Sequence, residues 1–208
     1  MRRLLGVGPA ALLLAAACSN APPDPAKLTT KPTYDKTTGK LSQLTYDRNG
    51  NGVIDTWTDM DGAKPLRSRI DANEDGRPDR WEYYDEAGKL LKVGFSRKDD
   101  GKPDAWAYAG ADGSVARVEV SSKSDEKTID RWEFYTAGQL ARVEEDTNAD
   151  GRVNVWEAYE GGVLKSTTFD EDGDGRPDRR LSYRDGALSL IESDPDKSGI
   201  FKKRVEVK

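Results

Sequence analysis

The stretch from Asp71 to Glu82 carries oxygen-bearing side chains at a spacing that suits a metal ion. Counted from its first residue, side-chain oxygens stand at positions one, three, five, nine and twelve: Asp71, Asn73, Asp75, Asp79 and Glu82. Position six is a glycine, and Arg77 at position seven offers a backbone carbonyl. Calcium takes six to eight oxygen ligands, and alternating oxygens of this kind can supply them from one short loop. The stretch therefore predicts a calcium site.

Two further stretches repeat the pattern. One supplies Asp146, Asn148, Asp150, Arg152, Asn154 and Glu157 at the same positions. The other supplies Asp170, Asp172, Asp174, Arg176 and Asp178, but it has Leu181 at position twelve and would need an oxygen from elsewhere. It is also the most acidic copy. These three copies are the predicted calcium sites, and calcium is the predicted cofactor.

Other copies of the stretch recur at a similar spacing along the chain but lack some of the oxygen ligands. The copy from Asp47 has asparagine at positions three and five, which lowers the ligand charge, so it is a weaker candidate. Lys98 enters the copy from Ser96, and the copy counted from Ser122 has no early carboxylate. We expect these last two copies to be structural turns.

The ligand spacing resembles the calcium loop of EF-hand proteins, which implies calcium binding. Position eight, usually isoleucine in that family, is Pro78 or Pro177 here, and no helical pattern flanks the loops, so a helix–loop–helix is excluded. The looser resemblance is to the acidic DxDxDG loops of thrombospondin type 3 and dockerin-like repeats, which implies the same ligand. If residues 80 to 84 form a strand, Glu82 points away from Trp81 and Tyr83 and is the least secure ligand.

A second interpretation needs no metal. Asp, Asn and Gly at these positions also make Asx-turns, in which the side chain accepts a hydrogen bond from a nearby backbone N–H. The loops would then only join one structural unit to the next.

The loops recur because the chain is an internal repeat. Tryptophans 57, 81, 106, 132 and 156 mark successive copies of about 24 residues, and Arg180 and Arg204 occupy the same place in two later copies. Aromatic residues alternate after each tryptophan, a glycine turn follows, and the apolar positions beyond it fall two, five and seven residues on. This pattern predicts β-hairpins, with a bulge where the step of three occurs.

The predicted fold is all-β: about six tandem hairpins in residues 34–208, forming a long twisted antiparallel meander or a curled solenoid. Each unit should bury one aromatic–aliphatic face, and the tryptophan at a fixed phase is better explained as a packing residue than as a sugar-stacking platform. The hairpin stretches from Tyr34 to Leu41 and from Tyr84 to Leu90 resemble the tyrosine–aspartate repeats of large bacterial surface and toxin-shell proteins. A disordered acidic tether is the alternative, because only 35% of residues are hydrophobic.

The N-terminus has the features of an export signal. Residues 1–17 combine Arg2 and Arg3 with an apolar run and small residues, and Cys18 follows. The string LLLAAAC resembles the bacterial lipoprotein signal, which implies that Cys18 is the mature N-terminus and carries acyl chains such as palmitate. Ser19 in the next position implies the outer membrane of a Gram-negative cell. Residues 18–33 are rich in proline and predict an extended tether.

Composition excludes several functions. The chain has no histidine, one cysteine and a net charge of −5 without a basic block, so histidine-based catalysis, an intrachain disulfide and nucleic-acid binding have no support. We expect a calcium-binding envelope lipoprotein of structural or interaction type, without catalysis, with the membrane and a protein or glycan as partners. The alternative is a carbohydrate-binding or glycan-hydrolysing module that uses tryptophans and paired carboxylates.

Overall fold

The computed structural model describes residues 29–207. Residues 1–28 and 208 lie outside it, including the predicted signal peptide, Cys18 and most of the tether. Fifteen β-strands and no helix occur in the described part, and the strands are β1 (Thr30–Tyr34), β2 (Leu41–Tyr46), β3 (Thr56–Asp61), β4 (Lys64–Ile70), β5 (Arg80–Tyr84), β6 (Leu90–Phe95), β7 (Ala105–Ala109), β8 (Val115–Val120), β9 (Arg131–Thr136), β10 (Gln139–Glu145), β11 (Val155–Glu160), β12 (Val163–Phe169), β13 (Arg179–Arg184), β14 (Ala187–Pro195) and β15 (Phe201–Glu206).

All fifteen strands form one open antiparallel sheet in which the spatial order equals the sequence order. The predicted all-β hairpin meander is confirmed. Seven hairpins and the single strand β15 are present, so the expectation of about six hairpins was slightly low. In the described residues no helix is long and apolar enough to cross a membrane.

The sheet begins inside the segment that the sequence assigns to the tether. Residues 30–33 belong to β1 and pair with β2. Pro32 lies opposite Leu44 on this outer strand. An edge strand tolerates proline, which lacks an N–H, because one of its two sides has no neighbouring strand to pair with. Residues 30–33 of the predicted tether are therefore part of the sheet.

Tight turns close the hairpins at one edge of the sheet. In the turn after β5, the Asp85 carboxylate accepts hydrogen bonds from the backbone N–H groups of Ala87 and Lys89, both at 2.8 Å. Gly88 then has a φ of +77°, which glycine adopts without steric cost. The predicted glycine turns are confirmed.

Every hairpin carries a bulge in its return strand, as the apolar spacing predicted. In the β5–β6 hairpin, Tyr83 pairs with Lys92 and Tyr84 pairs with Leu90, which leaves Leu91 as the extra residue. Equivalent shifts occur in the other six hairpins. A bulge bends its strand and increases the local twist.

The two faces of the sheet have different contents. Trp81 lies opposite Arg69 and Gly94, and Gly94 lies opposite Trp106, so the tryptophans share one row across what we call the tryptophan face. The same pairing carries the row on to Trp132, Trp156, Arg180 and Arg204. Residues next to them in sequence, Glu82 among them, point to the other face.

Burial is not confined to one face. Trp81 and Trp106 are 5% and 1% exposed on the tryptophan face. Ala105, Val118 and Val120 form the buried cluster of the opposite face, with exposures of 3% to 7%. The prediction of one buried aromatic–aliphatic face is therefore wrong, because apolar residues occupy both alternating positions of the central strands.

Candidate metal-binding loops

Seven loops join the strands at the end of the sheet opposite the tight turns. They share an edge because an antiparallel meander joins its strands at alternate ends. They are loop A (47–55), loop B (71–79), loop C (96–104), loop D (121–130), loop E (146–154), loop F (170–178) and loop G (196–200). The three predicted calcium sites are loops B, E and F.

The first side chain of each acidic loop is buried and holds the loop together. Asp71 is 4% exposed, and its carboxylate accepts hydrogen bonds from the backbone N–H groups of Asp75 at 3.2 Å and Gly76 at 2.8 Å. Asp146 makes the equivalent bonds in loop E at 3.3 and 2.8 Å. Asp170 accepts from Gly173 and Gly175, both at 2.7 Å. The first position is therefore structural in all three loops.

The ninth position closes the loop from the other end. Asp79 accepts hydrogen bonds from the backbone N–H groups of Ala72 at 2.8 Å and Asn73 at 3.2 Å, while burial raises the pKa of its carboxyl group. Asn154 accepts from Thr147 at 2.9 Å, and Asp178 accepts from Glu171 at 2.7 Å. The Asx-turn interpretation thus accounts for positions one and nine, and metal binding there remains a prediction.

Positions three and five repeat a smaller Asx-turn. In loop B, Asn73 accepts from the N–H of Asp75 at 3.1 Å, and Asp75 accepts from the N–H of Arg77 at 2.9 Å. Loop E has the same two bonds, from Asp150 to Asn148 at 3.2 Å and from Arg152 to Asp150 at 2.8 Å. Each bond occupies one side-chain oxygen.

Loop F brings three carboxylates together. Oxygens of Asp170, Asp172 and Asp174 lie within 4.8 Å of one another, the one such group among residues 29–207. Asp172 accepts the N–H of Asp174 at 3.0 Å through Oδ1, and Asp174 accepts the N–H of Arg176 at 2.8 Å through Oδ1, which leaves a second oxygen on each. Carboxylate oxygens are the ligands that calcium prefers, so this loop fits the ion best.

The glutamates at position twelve lie outside the loops. Glu82 is in β5, where Oε1 accepts from the Arg80 guanidinium at 2.7 Å and Oε2 accepts from the Tyr84 hydroxyl at 2.6 Å. Glu157 is in β11, and it accepts from Tyr159 at 2.8 Å. Strand alternation therefore places both carboxylates in side-chain networks on the sheet, as the sequence led us to expect for Glu82.

Loops C and D keep the shape of the acidic loops with serine in the first position. Ser96 accepts the N–H of Asp100 at 3.1 Å. In loop D the first position is Ser121, not Ser122 as counted from the sequence, because this loop is one residue longer. Ser121 accepts the N–H groups of Lys123 at 3.2 Å and Asp125 at 3.1 Å.

Side chains at position three connect neighbouring loops, which the sequence did not reveal. Asn49 donates to Glu74 of loop B at 2.5 Å, and Asn73 donates to Asp99 of loop C at 3.3 Å. The ammonium group of Lys98 donates to the Ser122 carbonyl of loop D at 2.5 Å. In loop F the third residue is Asp172, whose carboxylate has no proton to donate.

The five tryptophans are buried or half-buried, and none is exposed. Trp106 is fully covered. A sugar-stacking platform must present its ring to solvent, so this burial favours the packing interpretation.

Two solved structures with which this chain aligns are distant likenesses. No protein-family model and no curated protein matches the sequence. The crystal structure of accessory secretory protein 1, 2 and 3 of Streptococcus pneumoniae aligns with 56% of this chain at 16% identity and a TM-score of 0.27. The Photorhabdus luminescens Tc holotoxin pore aligns with 86% at 11% identity and a TM-score of 0.21. The chain covers 19% and 14% of those two chains.

Proposed function

We propose that this protein is a lipid-anchored envelope protein whose hairpin array binds calcium in its acidic loops and serves as a structural or interaction scaffold, without catalysis. The convergence of the Asp170, Asp172 and Asp174 carboxylates carries the proposal, because three carboxylates at this distance favour a bound cation. The anchor rests on the leader and on Cys18. The outer membrane is the proposed location.

The contacts between loops support a stabilising role for the ion. Loops A to D are joined by hydrogen bonds from a donor at position three, and between loops C and D that donor is the Lys98 ammonium group. Asp172 cannot make such a bond, and loop F would use calcium as its cation instead. Loops B and E have an asparagine at position three and offer fewer charges. We expect them to bind calcium more weakly than loop F.

The experiment compares thermal unfolding of the mature protein in calcium and in chelator. A ligand that binds only the folded state at 100 times its dissociation constant stabilises it by about 2.7 kcal/mol. We expect a higher Tm in calcium for the wild type and a much smaller rise for Asp172→Asn/Asp174→Asn. Asparagine keeps the Oδ1 acceptor that each Asx-turn needs, so the fold should persist.

Asp100→Asn is the matched control. Asp100 holds position five of loop C and accepts the N–H of Lys102 at 3.0 Å, but positions one and three of its loop are Ser96 and Lys98 in place of carboxylates. Its calcium response should equal that of the wild type. Identical unfolding curves of the wild type in calcium and in chelator would remove the metal from the proposal. Loss of acyl-chain labelling in Cys18→Ser tests the anchor separately.

A further inference from the structure

A cleft of about 1090 Å³ opens between loop F and loop G. Thr168 and Arg180 form its base on the sheet, and Phe201 of β15 lines its side. This volume reaches the upper end of the range of small-molecule sites, about 300 to 1,000 Å³. Loop F contributes four residues assigned to calcium to its lining, Asp172, Asp174, Arg176 and Asp178, so the cleft borders the proposed ion site.

The cleft exists because two features of the repeat change here. Trp81 and Trp106 are 5% and 1% exposed in earlier copies, whereas Arg180 occupies the tryptophan position and keeps 41% of its side chain exposed. The Arg180 guanidinium group forms an ion pair with the buried carboxylate of Glu192 at 2.5 Å. Loop G spans only residues 196–200, so it covers less of the sheet than the longer loops.

The walls combine opposite charges with an apolar surface. Loop F contributes Asp174 and Arg176, and loop G contributes Asp196 and Lys197. The ring of Phe201 faces the cleft with the Arg180 guanidinium 5.1 Å from its centroid. Hydrogen-bond donors and acceptors therefore surround an aromatic ring.

We propose that this cleft binds a neutral oligosaccharide. Carboxylates accept from sugar hydroxyl groups, ammonium and guanidinium groups donate to them, and the C–H face of a sugar ring packs on an aromatic side chain. Carboxylates on both walls disfavour a polyanion, and the charged lining disfavours an apolar ligand. The site needs no metal, and no tryptophan lines it.

The test is binding of the mature protein, in EDTA, to an array of neutral hexose and N-acetylhexosamine oligosaccharides, with uronic-acid oligosaccharides alongside. Chelation separates this proposal from calcium binding. We expect binding to neutral members, and a loss of about tenfold in affinity for Phe201→Ala, since that is the upper range for one aromatic contact.

Arg180→Trp restores the residue that the repeat uses elsewhere, and it should fill the cleft while the fold persists. Arg204, which lies 3.3 Å from Glu192, is left to pair with this buried carboxylate in that variant. We expect Arg180→Trp to abolish binding, whereas Arg204→Trp, at the next tryptophan position and outside the cleft, should retain it. Binding of uronic-acid members alone, unchanged binding by folded Arg180→Trp, or no binding by the wild type would each overturn the proposal.

Discussion

Gly94 is the position at which the packing of the tryptophan face can be tested most sharply. It lies in β6 directly between Trp81 and Trp106. A Cβ atom added there would lie 3.3 Å from the Cβ of Pro103 and 3.5 Å from the indole Cδ1 and Nε1 of Trp106. Trp106 is 1% exposed, so its ring has little room to move.

Two effects oppose each other in substitutions of Gly94. Replacing glycine with a residue that its backbone tolerates stabilises a protein by about 0.4 to 1 kcal/mol, because the unfolded chain loses freedom. Overpacking a buried site costs about 1 to 3 kcal/mol. Alanine adds only the Cβ, so Gly94→Ala should be close to neutral. Valine adds two more methyl groups against the indole ring, and Gly94→Val should be destabilised by about 2 kcal/mol.

Thermal unfolding in chelator measures this cost without any contribution from a metal. For a chain of this size, about 2 kcal/mol corresponds to a fall in Tm of about 4 to 8 °C. Glu144→Val is the control, because Glu144 lies between Trp132 and Trp156 in the same row and its side chain is 24% exposed. That variant should melt close to the wild type. A Gly94→Val protein as stable as the wild type would refute the packing argument.

Three further predictions concern the loops and the tyrosines. Asp71→Ala should lower the stability measured in chelator by about 1 to 3 kcal/mol, because backbone N–H groups lose their acceptor, whereas Asp71→Asn keeps an acceptor and should lose less. Equal stabilities for all three proteins would contradict a structural role for position one. Lys98→Ala should speed hydrogen exchange in loops C and D, with a global change below about 1 kcal/mol because the contact is exposed, and the exposed Lys102→Ala should leave exchange unchanged. Burial, followed by the hydrogen bond to Glu119, raises the pKa of Tyr108 from 10.0 to about 12. Because the pKa is higher in the folded state, Tyr108 contributes stability that is fully present below pH 10 and is lost as the pH rises to about 12. In alkaline unfolding curves, Tyr108→Phe should therefore lose less stability than the wild type across this window.

The hairpins were predictable because their signals are local. A tryptophan every 24 residues or so, alternating aromatics and a glycine turn each fix one part of a hairpin. The three-residue step between Leu90 and Val93 predicted a bulge in the return strand, and the structure shows Leu91 to be its extra residue. These features depend on residues close in sequence, so one chain was enough to reveal them.

Contacts between copies were not predictable in the same way. The cation–π contact of Lys92 with Tyr108, 5.9 Å from the ring centroid, joins β6 of one hairpin to β7 of the next and requires the lateral register of neighbouring strands. The bond from Lys98 to loop D also joins separate copies. In the sequence Lys98 is recognisable only as a residue that replaces a ligand, because its partner lies 24 residues further on.

The candidate site was only partly predictable. The spacing identified loops A to F, with loop D counted one residue late, and indicated that loop F is the most acidic. It could not show that positions one and nine already accept loop N–H groups, since an Asx-turn and a calcium loop use the same residue types. Glu82 was doubted on strand alternation, and its bonds to Arg80 and Tyr84 agree with that doubt.

Native mass spectrometry of the mature protein in calcium tests the central claim most directly, because it counts bound ions and protomers together. We predict that the wild type retains calcium, that Asp172→Asn/Asp174→Asn loses an ion, and that Asp100→Asn binds as the wild type does. A wild-type spectrum without bound calcium at millimolar concentration would contradict the account.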